Sequence, residues 1–236
     1  MLKFGIGVIT CKRFEYLKKT LDSLYYYNPL LEELPLVIAD DASSSDELDC
    51  IEKTWPEATV LHTTKRIGYA RNVKALIECA QDIGLDVLYW CTNDMECIRA
   101  VDFNGLLDLF KNDDTGQIQF VHWKGRYGEL GRERARKNWT TCEQIKQERP
   151  FKQGEEILIP ANWSWTSYSQ MQKLNVGDFV GEAVKKNPKI EKRMVEAEKI
   201  MMNNWYNTRL KNYECQNQPF MNQDWKGDNN TGYDDV

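Results

Sequence analysis

Short apolar runs alternate with helical patterns from residue 4 to residue 90, and this alternation limits the fold more than any other feature. Residues 4–9 (FGIGVI) form an apolar run with glycines. Phe14, Leu17, Leu21, Leu24 and Tyr25 then recur at helical spacing. Residues 36–39 give a second strand, ended by Asp40-Asp41 and a serine-rich turn that can cap a helix carrying Leu48 and Ile51. Residues 59–62 make a third strand. Ala70, Val73, Leu76, Ile77 and Ala80 mark a long helix stopped by Gly84. Residues 87–90 make a fourth strand. A β-α-β-α-β-α-β order predicts an α/β fold with a mostly parallel central sheet covered by helices on both faces. Ligands of such sheets sit beyond the carboxyl ends of the strands. Residues 10–13, Asp40-Asp41 and Asn93-Asp94 all lie at such ends.

Composition narrows the class. The 236 residues suit one sizeable domain, with hydrophobic and charged fractions of 42% and 28%. A net charge of −5 does not point to a polyanionic partner. No apolar run is long enough to span a bilayer. MLKFGIGVIT enters a strand at once, without a signal peptide's apolar region, so a cytoplasmic location is expected. Seven cysteines occur with no CxxC pair, which argues against a disulfide framework and a cysteine zinc site.

The second half is less regular. Residues 106–110 suggest a short helix, and QIQFVHW (117–123) alternates like a strand. Residues 124–137 are basic, with Lys124, Arg126, Arg132, Arg134, Arg136 and Lys137 interrupted by Glu129 and Glu133. That pattern reads as a solvated face, or as a loop facing a phosphate-bearing acceptor. ILIP (157–160) and WSWTSYS (163–169) read as further strands. Residues 189–210 read as a helix with Ile190, Met194, Ala197 and Met201 on one face. A polar tail follows from 213 to 236. The expected organisation is a single domain, with 1–100 as its first half and 101–212 as its second.

Three segments carry chemistry in a fixed order. The second strand ends in Asp40-Asp41-Ala42-Ser43-Ser44-Ser45-Asp46. The third helix opens on Gly68-Tyr69-Ala70-Arg71-Asn72. The fourth strand ends in Asn93-Asp94-Met95-Glu96. In content and order these resemble the N-terminal half of family 2-type glycosyltransferases with the GT-A (Rossmann-like) fold. The resemblance implies a nucleotide-sugar-binding first half, an acceptor-side second half, and inverting transfer of a sugar from a nucleotide diphosphate, typically a UDP-sugar, to a hydroxyl acceptor. Asp94 would be the ligand of a Mn²⁺ or Mg²⁺ ion, with Glu96 binding directly or through water. Hard cations prefer oxygen ligands and leave positions open for phosphate and water. Asn93 stands where the family often has an acid.

The same resemblance gives Asp40 or Asp41 the nucleobase, since a carboxylate accepts an imide N–H. It places Thr10 beside the base, and Arg13 and Arg71 near the nucleotide. A general base is expected at the start of a late helix, after Gly177-Asp178-Phe179. Glu196 and Glu198 fit, with Glu182 and Glu191 as competitors. His62 and His122 come too early for the family's late histidine ligand, and Asp224 is the stand-in. Trp163, Trp165 and Tyr168 offer an acceptor platform. The acceptor itself stays open between a glycan, a small molecule and a modified base in DNA. A nucleotide-binding module without catalysis is the alternative of a different class.

Overall fold

A computed structural model describes residues 2–112, 114–120, 150–160, 169–176, 180, 201, 205, 208, 210–215 and 219–222. The expected alternation is present. Strand β1 (Phe4–Thr10) leads to helix α1 (Phe14–Tyr27), and β2 (Leu36–Asp40) to α2 (Ser45–Thr54). Strand β3 (Thr59–His62) leads to α3 (Tyr69–Asp82), and then comes β4 (Val87–Thr92). β1 lies between β2 and β4, and β2 carries β3 on its far side, all in parallel. The carboxyl ends of four strands therefore open on one edge of the sheet.

Both faces of this parallel half are apolar, so its strands carry near-continuous hydrophobic runs. On one face Leu17, Leu21 and Leu24 of α1 pack with Ile6, Val8, Ile38 and Tyr89. On the other, Val73, Leu76, Ile77 and Ala80 of α3 pack with Ile9, Val37, Ala39 and Leu88. Each buried Leu, Ile or Val contributes about 1.5–3 kcal/mol relative to an exposed one. Gly7 lets α3 approach closely, because a Cβ there would stand 3.0 Å from a Leu76 methyl. The short helix near residue 106 is α4 (Phe103–Leu107), continued by a 3₁₀ turn (Asp108–Lys111).

Beyond β4 the sheet becomes mixed. Strands β6 (Thr115–Gln119), β7 (Phe151–Gln153), β8 (Glu156–Pro160), β9 (Gln170–Lys173) and β10 (Lys211–Cys215) extend it in the order β3-β2-β1-β4-β9-β6-β10-β8-β7. β9 runs antiparallel between β4 and β6, and β10 runs parallel to β6. A separate two-stranded sheet pairs β5 (Met95–Cys97) with β11 (Phe220–Asn222).

Several expectations shift here. The acidic stretch after β4 is only briefly a turn, because Met95 and Glu96 enter β5. Its partner β11 lies more than a hundred residues on, so local sequence could not announce the pairing. Residues 213–215 and 220–222, read as the start of a polar tail, belong to β10 and β11. The strand expected at 117–123 begins earlier, at Thr115. Of WSWTSYS only Ser169 is described, and the strand found nearby starts at Gln170. Of the helix expected at 189–210, Met201 and Trp205 are helical and buried in the core on the α3 side. Its other expected core residues lie outside the described residues.

Candidate active site

Strand register assembles the site. At the carboxyl edge Ile9 stands opposite Thr92, Thr10 opposite Asp40, and Asp40 opposite His62. A row of polar side chains thus crosses β4, β1, β2 and β3 at the edge where ligands of such sheets bind.

The two acids after β2 are fully buried. Asp40 accepts from the backbone N–H of Ser43 at 3.0 Å and from the Ser43 hydroxyl. Its Oδ2 also meets Nδ1 of His62 at 2.8 Å. Asp41 accepts from the backbone N–H groups of Ile67 (2.7 Å) and Gly68 (3.1 Å). It thereby ties the β2 turn to the start of α3. Gly68 holds φ +88°, a backbone state that side chains rarely adopt, at the N-cap of that helix. The Ser44–Glu47 capping box then opens α2, as the serine-rich turn implied.

Neighbouring contacts extend this frame. The Ser43 hydroxyl accepts from the Lys12 N–H at 2.8 Å. The Cys11 thiol donates to the Asp41 carbonyl at 3.0 Å. Burial pushes the Cys11 pKa up; Asp41 and Asp40 add to the rise, while nearby Arg66 and Lys12 oppose it. That keeps the thiol protonated and identifies Arg66 as a cation close to the site. Asn72, beside Arg71, donates to the Ala39 carbonyl at 2.9 Å, fixing α3 to β2.

The end of β4 is built differently. Asn93 is buried and spends its groups on the frame. Its amide donates to the Thr10 hydroxyl at 2.9 Å, its N–H to the Ile9 carbonyl, and its own carbonyl accepts from Thr20 at 2.7 Å. Asp94 is half-buried, with one oxygen held by the Thr92 hydroxyl. Glu96 is turned to α1, where Lys19 lies 2.8 Å away. Arg13 sits ahead of α1 with its guanidinium 3.9 Å from the centre of the Tyr16 ring, and Arg71 is exposed on the first turn of α3.

Thr10, Asp40, Asp41, Asn93 and Asp94 therefore gather at one edge, with Arg13 and Arg71 on the flanking helix starts. Glu182, Glu191, Glu196, Glu198, His122, Asp224, the basic stretch 124–137 and the aromatics at 163, 165 and 168 lie outside the described residues. His62, too early in the chain to be the family's late histidine ligand, ends β3 beside Asp40, a juxtaposition set by strand register and not by local sequence.

Can these residues hold a divalent cation? Asp94 offers a carboxylate at a strand end, the donor chemistry a hard cation wants. Glu96 is already neutralised by Lys19. Among the described residues no cluster of three or more His, Cys, Asp or Glu side chains has metal-site geometry. The residues thus fit a one-carboxylate site whose remaining ligands come from phosphate and water.

The model of the family described as "Glycosyl transferase family 2" matches residues 6–167. The chain belongs to that family. No curated protein matches it at a significant level. Solved structures do share the fold of this family 2 chain. S. aureus TarS superposes over 93% of the chain and 36% of its own length, at TM-score 0.58 and 11% identity. TarS 1–349 in complex with UDP superposes over 93% of the chain and 59% of its own, at 0.58 and 13%. GalNAc-T7 with UDP, GalNAc and Mn²⁺ superposes over 91% and 42%, at 0.60 and 16%. The chain spans less than two thirds of each of these proteins. At such identities the likeness establishes the GT-A fold alone. Among the described residues no helix is long and apolar enough to cross a membrane.

Proposed function

We propose that this family 2 chain transfers a sugar, with inversion, from a nucleotide diphosphate donor to a hydroxyl acceptor, and that the donor is a UDP-sugar. The observation that carries the reading is the polar row at the carboxyl edge of the parallel strands: Asp94, Thr10, Asp40 and His62. The family match supports glycosyl transfer. The donor class and the cation are taken from the relatives, of which TarS 1–349 was solved with UDP, and GalNAc-T7 with UDP, GalNAc and Mn²⁺.

In this reading the loops after β1, β2 and β4 hold the nucleotide, with Thr10 and the Asp40-Asp41 turn on the base side. Asp94 is the ligand for Mn²⁺ or Mg²⁺. A bound divalent cation supplies charge to the leaving diphosphate. Arg13 and Arg71 add positive charge near the same group. Glu96, paired with Lys19, acts through water or as a support for α1. The acceptor oxygen attacks the anomeric carbon, the bond from that carbon to the diphosphate oxygen breaks, and a carboxylate takes the acceptor proton. Glu196 and Glu198 are the candidates for that base. The whole chain works as one domain, with its acceptor side beyond residue 100.

The test is a melting-temperature screen of nucleotide sugars with and without Mn²⁺, followed by release of UDP from any donor that binds. A ligand that binds only the folded state raises the melting temperature. The expected result is a metal-dependent shift with UDP-sugars. If no nucleoside diphosphate shifts the melt, the donor assignment is wrong. Binding without release of UDP under any cation or acceptor points instead to a nucleotide-binding module.

A further inference from the structure

We infer that Gln170 is a binding residue for the hydroxyl groups of the donor sugar, and that it sets which sugar the site accepts. This rests on the donor reading above, and it concerns one side-chain amide at the carboxyl edge of the mixed half of the sheet. Gln170 is 0% exposed, yet neither its Nε2 nor its Oε1 has a hydrogen-bond partner among the described residues. Buried amides are nearly always paired, because an unmade hydrogen bond costs the full desolvation of the group. The other glutamines of β6 and β9 follow that rule at one end or both. Gln119 donates to Gln117 at 3.0 Å, and Gln172 accepts from Trp90 at 3.2 Å. Of the buried glutamines described, Gln170 alone keeps both ends of its amide unused.

Register places this amide on the metal side of the proposed site. Gln170 stands opposite Trp90 of β4 on one side and Gln119 of β6 on the other. Thr92 lies two residues beyond Trp90, so its side chain shares the face of Trp90 and Gln170. That step along the strand is about 7 Å. The Thr92 hydroxyl holds Asp94, the proposed metal ligand. The sugar is bonded to the diphosphate and so lies next to that cation, and Gln170 is an unpaired polar group on the same face of the adjoining strand. Amide chemistry fits the role. A hydroxyl both donates and accepts, and so does a glutamine amide, whereas a carboxylate only accepts. Full burial keeps bulk water from the transferred carbon, so the donor is passed on rather than hydrolysed.

The experiment measures binding of UDP, UDP-glucose, UDP-galactose and their two N-acetylhexosamine counterparts by calorimetry at fixed Mn²⁺. The proteins are wild type, Gln170→Met and Gln170→Leu. The sugars differ only at C2 and C4, so reading of hydroxyl groups shows as a spread of affinities. Wild type should separate the best sugar from the worst by about tenfold or more, since a site built to hydrogen-bond a hydroxyl rejects a sugar that misplaces it. Both variants should bind UDP within about twofold of wild type and shrink the spread to less than about threefold. Their ligand-free melting temperatures should equal or exceed that of wild type, because an apolar side chain of similar volume replaces an amide with no partner. An amide with only a structural role, paired to ordered water, would lower the melting temperature on replacement and leave the spread unchanged. That result overturns the inference, as does loss of cooperative melting in both variants. A wild type that binds UDP but treats the sugars alike overturns the inference and leaves the donor reading standing. A wild type that binds no nucleoside diphosphate overturns both.

Discussion

The chain ends two strands, one on each side of β1, in acids and uses them in opposite ways. At the end of β2, Asp40 and Asp41 are buried and hydrogen-bonded, and they hold together the 43–44 turn, His62 and the start of α3. After β4, Asp94 remains half-buried at the mouth of the site, while Asn93 does the framing through Thr10 and Thr20. The amide thus takes the structural task at one strand end that the carboxylates take at the other. By this contrast, changes after β2 act first on stability and changes at Asp94 act first on turnover.

The largest effect is expected at Asp94. Asp94→Ala should lower metal-dependent sugar transfer by about 10³-fold, since a metal's charge stabilisation amounts to several kcal/mol. Its urea unfolding free energy should move by no more than about 1 kcal/mol. Asp41→Ala should do the reverse. It leaves the Ile67 and Gly68 N–H groups without their acceptor and should cost about 3 kcal/mol in the same measurement. If Asp41→Ala melts like wild type, the framing role assigned to that acid fails.

A third acid, Glu156, lies away from this edge and sharpens the contrast through pH. It is buried and bonded to Arg99 through both carboxylate oxygens, at 2.9 and 2.7 Å, and Cys215 adds a thiol hydrogen bond. Burial pushes its pKa up, but Arg99 and Cys215 outweigh that and hold it below the usual carboxylate value. A folded pKa below the unfolded one gives stability that is present above the unfolded value and lost as pH falls through the folded one. Wild type should therefore lose this contribution on acidification below about pH 4.5. In Arg99→Met the largest opponent of burial is gone while Cys215 and the Asp102 N–H remain, so the Glu156 pKa rises relative to wild type and the stability lost on acidification should shrink. Unfolding free energies measured across the acid range in both proteins check the smaller acid dependence. The smallest effect is expected at Glu96, where Glu96→Gln breaks a part-exposed ion pair with Lys19 and should cost less than about 0.5 kcal/mol.

The legible and illegible parts of the sequence divide along the sheet. The parallel half was readable because burial on both faces writes continuous apolar runs, and α1 and α3 carry clear helical periods. β3 falls at the residues expected, 59–62. Strands β6 and β9 were poorly readable because the sheet buries glutamines there. Gln117, Gln170 and Gln172 are each 0% exposed, so polarity no longer marks the solvent side. The Trp90 indole N–H donates to Gln172, showing how one of these amides is accommodated. β5 and β11 have three residues each and pair across the length of the chain, which leaves no local period to detect. At the site, the sequence named the acids but not their roles. That Asp40 faces His62 and Asp41 faces a helix start follows from register and turn geometry, which residue type alone does not encode.

The central claim is that the edge holding Thr10, Asp40, His62 and Asp94 binds a nucleoside diphosphate with a divalent cation at Asp94. Calorimetric titration of UDP into wild type and into Asp94→Asn, each with Mn²⁺ and with chelator, tests it most directly. The account predicts that Mn²⁺ tightens UDP binding to wild type by at least tenfold and that Asp94→Asn binds UDP weakly and equally with or without the metal. Equal enhancement by Mn²⁺ in both proteins would contradict it.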